Sequence, residues 1–485
     1  MMDVYLKKQG LILLAGLGIL LSSHGTHASP NPQKLYLTDL LQSIDHHYPQ
    51  VKIARLDIAK AHGAWIKAKG QFDPELEAST RSQPAGGYIN NYGDTQFTVP
   101  TLYNGIKLFA GYRNGEGDWP IYYKNYLTNS GGEYRAGLSL PLLRDRLIDK
   151  QRTDLLSSTE LILMKQQDAE AVKIKIYQEA IQAYWQWVEA GIQLQTFKQL
   201  LQLAQKRQHA IEQQARQGDL PTLAISENLQ QITQREQLLN QGRMIFEQAS
   251  VNLSLYYRDN KGHPITPSAN TLPSLTQAAI PLTKNGLPLR EHPELKKLNH
   301  YANIMRLKRD QARNELLPQL DATAYTFKQN GTGGDPLLIP QAAMVGLSFK
   351  FPLLQRQAKG NLIQAQSELH QIKVARRFFY DQLHNDYLNM LIGIRRGMQQ
   401  INLLLRELKL AQTVQHGETK KFYEGDSTLF LVNQREQATT QVQLNTLHAQ
   451  VAVEELKAKV RYFASTQRAP CACAPCQQKT GTKDK

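Results

Sequence analysis

The sequence predicts a mixed α/β membrane protein in which long helical rods carry short amphipathic strands. Three observations in the 485 residues support this fold class. Apolar residues recur at three-and-four spacing over very long segments, short segments alternate apolar and polar residues, and both patterns occur twice in the same order. We therefore expect an internal tandem duplication, with a long α-helical coiled-coil barrel and a transmembrane β-barrel that a homotrimer completes.

The duplication is visible in the segments that lead into the strands. The stretch YPQVKIARLDIAKAHGAWIKAKGQFDPELEAST resembles HPELKKLNHYANIMRLKRDQARNELLPQLDATA, so that Pro49 matches Pro293 and Pro74 matches Pro318. Further along, GLSLPLL resembles LSFKFPLL. Because the order is the same in both halves, we predict a first structural repeat over 29–272 and a second over 273–466.

Each repeat is predicted to contain two strands. In PELEAST, Leu76 and Ala78 alternate with polar residues, and LSFKFP shows the same alternation. Pro141 and Pro352 close the second strand of each repeat, since proline cannot donate to a strand ladder. The Gly-, Tyr- and Asn-rich stretch between the two strands of the first repeat is interpreted as a longer loop. Four strands per chain, and twelve in a trimer, follow from this interpretation.

A long helix is predicted after each closing proline, from Pro141 to Gly218 and from Pro352 to Gly425. Each would span about 110 Å at 1.5 Å per residue. The apolar spacing is that of a narrow coiled-coil seam; in the second repeat the seam consists of Leu383, Tyr387, Met390, Ile394, Met398, Ile401, Leu405 and Leu408. Shorter helices are predicted to stack end to end in pairs beside each rod; they cover 40–69 with 221–256, and 294–316 with 428–462.

The far end of each rod carries a Gly-Asp pair, Gly218-Asp219 and Gly425-Asp426. Glycine is favoured just past a helix C-terminus, where the chain turns through positive φ. Aspartate is a favoured cap for the helix that follows. We therefore predict a minimal corner between antiparallel helices at these two places.

The two ends of the chain are predicted to lie outside this plan. Residues 1–28 are typical of a signal peptide, with Lys7 and Lys8 before a short apolar run. Residues 467–485 are interpreted as a disordered tail that contains the chain's three cysteines, Cys471, Cys473 and Cys476. No later run of about twenty apolar residues offers a membrane-spanning helix.

Composition argues against several classes of function. The net charge is +15, but the basic residues are dispersed among Gln and Glu without interleaved aromatics, so no nucleic-acid partner is expected. No nucleophile motif, HExxH motif or phosphate-binding loop occurs, so we predict no enzyme activity, no catalytic residue, no cofactor and no metal site. A soft-metal site in the cysteine tail stays a minor alternative.

Four amphipathic strands are too few to close a membrane barrel, and an open sheet with exposed edges would aggregate. Oligomerisation resolves this, because three chains supply an even number of strands and twelve helical rods or stacked pairs. The strands would then contact outer membrane lipid, and the rods would project into the periplasm. The corners would lie at the inner mouth of the tube.

The duplicated strand–helix plan, the prolines in GLSLPLL and SFKFPLL, and the Gly-Asp corner before NQREQATTQVQLNTLHAQ resemble the TolC-like outer membrane efflux proteins. The resemblance covers about residues 35 to 465. It implies a homotrimeric channel-tunnel, the exit duct of a tripartite efflux or type I secretion system, through which passage is passive. It also implies a periplasmic adaptor that docks on Gly218, Asp219, Gly425 and Asp426, and an inner membrane ABC or RND-type pump.

The family's gate residues are changed in this chain. The positions that carry acidic groups in well-known members are Ala224 and Glu227 in the first repeat, and Leu431 and Gln434 in the second. Only one of the four is acidic, so we expect a periplasmic gate closed by packing near Leu223 and Leu431 and only weakly electrostatic.

Two other classes of protein remain open at this stage. One is an exported structural coiled coil without a pore, which would have no need of duplicated amphipathic strands. The other is a periplasmic adaptor, which usually has a single helical hairpin flanked by β modules that the sequence does not show.

Overall fold

The computed structural model describes residues 34–279, 287–333 and 338–464. The predicted signal peptide and the cysteine tail lie outside these ranges. Within them, the chain forms the following helices and strands in order: α1 Leu37–His47, α2 Pro49–Lys69, β1 Glu75–Gln83, β2 Asn90–Pro100, β3 Lys107–Gly117, β4 Glu133–Pro141, α3 Lys150–Gln217, α4 Leu223–Ser254, α5 Leu275–Ala278, α6 Pro293–Asn314, β5 Gln319–Gln329, β6 Gln341–Lys350, α7 Arg356–Tyr423 and α8 Leu429–Arg461.

The two predicted rods are present as α3 and α7, each with 68 residues. At 1.5 Å per residue each is about 100 Å long. Helix α3 contacts α2 and α4 on one side and α6 and α8 on the other, and α7 packs against α6 and α8. The shorter helices therefore pack along the rods, two beside each rod face. The resulting wall of helices has the order α2/α4, α3, α6/α8, α7.

The prediction of one helix from Leu40 to Lys69 is wrong, because this segment forms two helices. Helix α1 ends at His47, and Tyr48 adopts an extended backbone with φ −71° and ψ 127°. The residue before a proline avoids the helical region because the proline ring crowds its backbone. Pro49 then begins α2, where a missing N–H costs nothing.

The prediction of four strands per chain is also wrong, since the described residues form a sheet of six strands in the order β1-β2-β3-β4-β5-β6. The stretch interpreted as a loop in the first repeat is the antiparallel hairpin β2–β3, inserted between the two predicted strands. Its alternation is diluted by glycines, and membrane strands carry a weak signal per segment. The two halves otherwise share one order of elements.

The most buried part of the chain lies at mid-height on α3. Tyr184, Trp185 and Trp187 are fully buried there, against α1 and the segment around Leu272. The Tyr184 hydroxyl donates to the backbone oxygen of Leu35 at 3.1 Å. Large aromatic side chains bury the most apolar area per residue, so this cluster holds α1 and the segment around Leu272 against α3.

The seam predicted on α7 is only partly buried within one chain. Leu383 and Ile394 are buried as expected, whereas Met398 and Leu405 are exposed and Leu404 is buried instead. Helix α3 lies between two neighbours and buries many more residues than α7 does. Helix α7 is therefore an edge of the helical wall, and much of its apolar surface has no partner among the described residues.

Candidate functional site

One face of the sheet is predominantly apolar and the other is predominantly polar, although Phe109, Tyr325 and Met344 lie on the second face. Residues directly opposite each other in neighbouring antiparallel strands point to the same side, so the register assigns every side chain to a face. Large exposed residues on one side are almost all apolar, with Val345 86% exposed and Leu347 73% exposed. We call this side the apolar face; it includes Leu76, Phe97, Leu108, Tyr112, Tyr134, Leu138, Val345, Leu347 and Phe349.

The opposite side, the polar face, carries ion pairs that cross several strands. The Arg135 side chain on β4 donates from Nη2 to both carboxylate oxygens of Asp94 on β2, at 2.8 and 2.7 Å. Between them on β3 lies Gly111, whose missing side chain leaves room for the crossing. Arg113 donates to Glu133 at 2.9 Å, and Glu133 also accepts from Gln329 on β5 at 2.9 Å.

At the end of the sheet far from the helices, the segment 118–127 folds back over the polar face. Trp119 is buried and stacks on Tyr126, with ring centroids 5.6 Å apart. The Arg81 guanidinium lies 5.8 Å from the Trp119 ring centroid, a cation–π distance. Gly115 lies under the Tyr126 backbone, where any side chain would collide.

Both predicted corners have the geometry of a helix C-cap. Gly218 and Gly425 each have φ +84°, the left-handed conformation that favours glycine. The backbone N–H of Asp219 reaches the Gln214 oxygen at 3.0 Å, and that of Asp426 reaches the Lys421 oxygen at 2.8 Å. These are the bonds of a Schellman motif, which satisfies carbonyls at the end of the helix.

The prediction that the aspartates cap the following helices is wrong. The N-cap of α4 is Thr222, with no side-chain hydrogen bond to the helix. The N-cap of α8 is Thr428, whose hydroxyl accepts from the backbone N–H of Leu431 at 3.4 Å. The corner turn is longer than expected, which places Asp219 and Asp426 on the turn itself and leaves both of them exposed.

The predicted gate positions are divided between surface and core. Leu223 is 64% exposed, and Glu227 and Gln434 are exposed as well. Leu431 is half-buried. Ala224 is buried in a small cluster that joins the two corners.

Phe430 is a tip residue that sequence reasoning missed. It is 67% exposed and follows Gly425 at the same interval at which Leu223 follows Gly218. Each corner thus presents a large apolar side chain at this position. Comparing the two repeats at equal distance from the corner glycine would have identified the pair.

A buried cluster of Arg207, Arg235 and Glu436 lies above the corners and joins α3, α4 and α8. Glu436 accepts from Arg207 on one oxygen and from Arg235 Nη2 at 2.6 Å on the other. Asn433 accepts from both guanidiniums, at 3.0 and 3.3 Å. Burial lowers the pKa of Arg235, although the hydrogen bond and charge of Glu436 oppose this shift. The cluster ties the α3–α4 corner to α8.

Two negative observations apply to the described ranges. Among these residues no helix combines the length and apolar character needed to cross a membrane. In the same part of the chain, His, Cys, Asp and Glu side chains form no group of three or more that could hold a metal ion.

No protein-family model matches the sequence, and no curated protein matches it. Solved structures do match, and the likeness extends over nearly the whole described chain. CusC has TM-score 0.63 at 15% identity, covering 89% of this chain and 92% of CusC. VceC from Vibrio cholerae has TM-score 0.62 at 14% identity, covering 88% and 96%. MtrE from Neisseria gonorrhoeae, in its open state, has TM-score 0.62 at 14% identity, covering 88% and 88%.

MtrE is an outer membrane channel, VceC is an outer membrane protein, and CusC forms a transmembrane channel. The chain therefore has the fold of the TolC-like outer membrane efflux channels, as the resemblance in sequence predicted. At such low identity the likeness establishes the fold alone.

Proposed function

We propose that the protein is an outer membrane channel-tunnel, the exit duct of a tripartite efflux or type I secretion system. The observation that supports this most directly is the exposed apolar face of the sheet, on a chain whose helices extend about 100 Å away from it. An exposed apolar surface of this extent calls for lipid or a protein partner. With polar side chains on the other face, the sheet has the alternation of a membrane barrel wall.

A homotrimer closes the ring through edges that lie on matching sides. Strands β1 and β6 are the two edges of the sheet and run antiparallel to one another. The helices that adjoin them are α2, with α4 stacked below it, and α7, the two edges of the helical wall. Contacts between two different edges are head-to-tail, and they form a ring when the rotation from chain to chain closes.

Exposed apolar side chains occur along both helical edges. On α7 they recur at helical spacing: Ile363, Val374, Phe378, Leu388, Ile392, Leu403, Leu410 and Val414. On the opposite edge they are Ile53, Leu56, Ile66, Leu229, Leu238, Met244 and Val251. Burying the two stripes against each other supplies the apolar contact of the ring.

The orientation and partners follow from the same geometry. The sheet lies in the outer membrane and the helices extend through the periplasm, so the corners at Gly218 and Gly425 face inward. A periplasmic adaptor docks there and connects the duct to an inner membrane ABC or RND-type pump, which supplies the energy. Passage through the duct itself is passive. A duct without catalytic activity agrees with a fold shared with channels.

A pair of neighbouring residues on β6 tests this proposal. Leu347→Asp puts a carboxylate on the apolar face, where lipid cannot solvate it, whereas Ser348→Asp puts the same group on the polar face. We expect Leu347→Asp to abolish the heat-modifiable trimer in outer membrane fractions and Ser348→Asp to leave it intact. Equal behaviour of the two variants would refute the membrane barrel and favour a pore-less coiled coil or a periplasmic adaptor.

A further inference from the structure

We propose that the inserted hairpin β2–β3 is part of the transmembrane wall, so that the trimer closes eighteen strands. Barrel diameter grows roughly linearly with strand number, so such an outlet is about 1.5-fold wider than one of twelve strands. The proposal rests on the trimeric duct proposed above and adds the size of its outlet. Its consequence is that the strand wall itself is wider than a twelve-stranded wall; the segment 118–127 lies over the polar face at its outer end.

The hairpin is paired with a neighbouring strand on both sides, over most of its length. Every residue of β1 has a partner on β2, from Glu75 opposite Thr98 to Gln83 opposite Asn90. Strand β3 pairs with β4 from Lys107 opposite Ser139 to Arg113 opposite Glu133. A surface loop would leave β1 and β4 adjacent to each other, but here they are separated by two strands.

The hairpin has the same two faces as the rest of the sheet. Phe97 on β2 and Leu108 on β3 continue the apolar face. Asp94, Gln96 and Arg113 continue the polar face. A hairpin in water on both sides has no physical reason to separate its residues in this way, whereas a strand between lipid and an aqueous lumen does.

Ion pairs on the polar face join the hairpin to the strands of the shared plan. Asp94 on β2 is bound by Arg135 on β4, across Gly111. Arg113 on β3 is bound to Glu133 on β4, whose side chain is 1% exposed. These contacts fix the hairpin in the plane of the sheet and would be lost if it swung outward.

The turn of the hairpin reaches the helical end of the sheet. Asn104 and Gly105 have φ +51° and +69°, and the Asn-Gly pair is a strong hairpin signal. A side chain on Gly105 would lie 2.7 Å from the backbone oxygen of Asp145 and from Pro141, where β4 leaves the sheet. The hairpin therefore spans the full height of the wall.

Cysteine scanning tests the proposal in the assembled trimer in lipid. In a background with Cys471→Ser, Cys473→Ser and Cys476→Ser, single cysteines replace Gln96, Phe97, Thr98, Val99 and Leu108. A membrane-impermeant maleimide is then added. We expect labelling at Gln96 and Thr98, and at least tenfold slower labelling at Phe97, Val99 and Leu108. Labelling that does not alternate along β2 would overturn the proposal.

Cysteines at Leu347 and Ser348 serve as the reference pair for the same reagent. If labelling alternates between Leu347 and Ser348 but not along the hairpin, the proposed duct is supported and the eighteen-stranded wall is refuted. If the reference pair does not alternate either, the proposed membrane barrel itself fails. The two proposals are thus distinguished in one experiment.

A deletion variant measures the width directly. Gln83 and Glu133 lie at the same end of the sheet, so replacing residues 84–132 by a two-residue Asn-Gly turn restores the four-stranded plan. Electron microscopy of the purified trimer should show the strand end narrowed by about a third. An unchanged diameter would show that the hairpin lies outside the wall. If the variant does not assemble, the labelling experiment decides alone.

Discussion

At the residue scale, the two corner glycines separate backbone strain from packing. The site of a Cβ on Gly425 is open, with no atom within 4 Å, so only the φ of +84° opposes a side chain there. Gly425→Ala should cost about 1 kcal/mol, because an L-residue is forced into the left-handed region. We expect faster proteolytic cleavage at this corner and weaker export, with trimer level unchanged.

Gly417 is the matched control for that change. It lies inside α7, with ordinary helical backbone, and no atom lies within 4 Å of the position that a Cβ would take. Gly417→Ala should stabilise the helix by about 0.5–1 kcal/mol and leave export intact. If the two variants lost export equally, the corner conformation would have no special role in docking.

The buried ion cluster makes a second prediction at this scale. Glu436→Gln leaves Arg207 and Arg235 facing each other without a carboxylate, and breaking one partner of a buried pair typically costs about 3–5 kcal/mol. The thermal unfolding midpoint should fall clearly. Glu227→Gln, which removes an exposed carboxylate from α4, should change the free energy of unfolding by no more than about 0.5 kcal/mol. Similar shifts for both would contradict a structural role for the cluster.

These residues show what the sequence could and could not predict. The positive φ of Gly218 and Gly425 was predictable, because helix ends have a local signature. The cluster was not, because Arg207, Arg235 and Glu436 come from three different helices. Nothing in the spacing of Arg235 indicates that its partner lies on α8.

At the element scale, the two rods were predictable, because apolar residues that recur with one period over many turns indicate a long, continuous helix. The hairpin β2–β3 was not recognised, although Asn104-Gly105 lies between two alternating segments. The glycines in this stretch led to its interpretation as a loop. The structure shows that Gly111 is where Arg135 passes over the strand and Gly115 is where Tyr126 lies against it.

The crossing at Gly111 can be tested by a side chain. A Cβ there would lie 2.7 Å from the Thr95 backbone oxygen and 3.4 Å from Arg135 Nε, so Gly111→Ala should destabilise the sheet by about 1–3 kcal/mol. Gly93→Ala on β2 is the control, since no atom lies within 4 Å of its Cβ position. Trimer dissociation temperature measures both. If Gly111→Ala were tolerated with Asp94 and Arg135 still paired, the missing side chain at Gly111 would not be required for the crossing.

At the scale of the whole molecule, the edges of the sheet and of the helical wall agree. Strand β1 follows α2, and strand β6 precedes α7. The β1 edge of the sheet therefore lies on the same side as the α2/α4 edge of the helical wall, and the β6 edge lies on the same side as α7. The sequence predicted that oligomerisation must close the sheet, because an open sheet exposes its edges. It could not give the strand number, because that depends on the inserted hairpin.

In the proposed trimer each residue at the inner mouth occurs three times around the axis, and the gate there stays a prediction. Among the candidates, Leu223 is exposed and Leu431 is half-buried. Phe430 adds a second exposed apolar side chain to the same surface.

Three carboxylates facing one another would bind multivalent cations strongly, but Glu227 is the one acid among the gate candidates. Closure should therefore depend on apolar contacts, so Leu431→Ser and Phe430→Ser should each raise conductance more than Glu227→Gln does in planar bilayers. Tight block of the wild-type channel by trivalent cations from the periplasmic side, relieved by Glu227→Gln, would instead indicate an electrostatic gate.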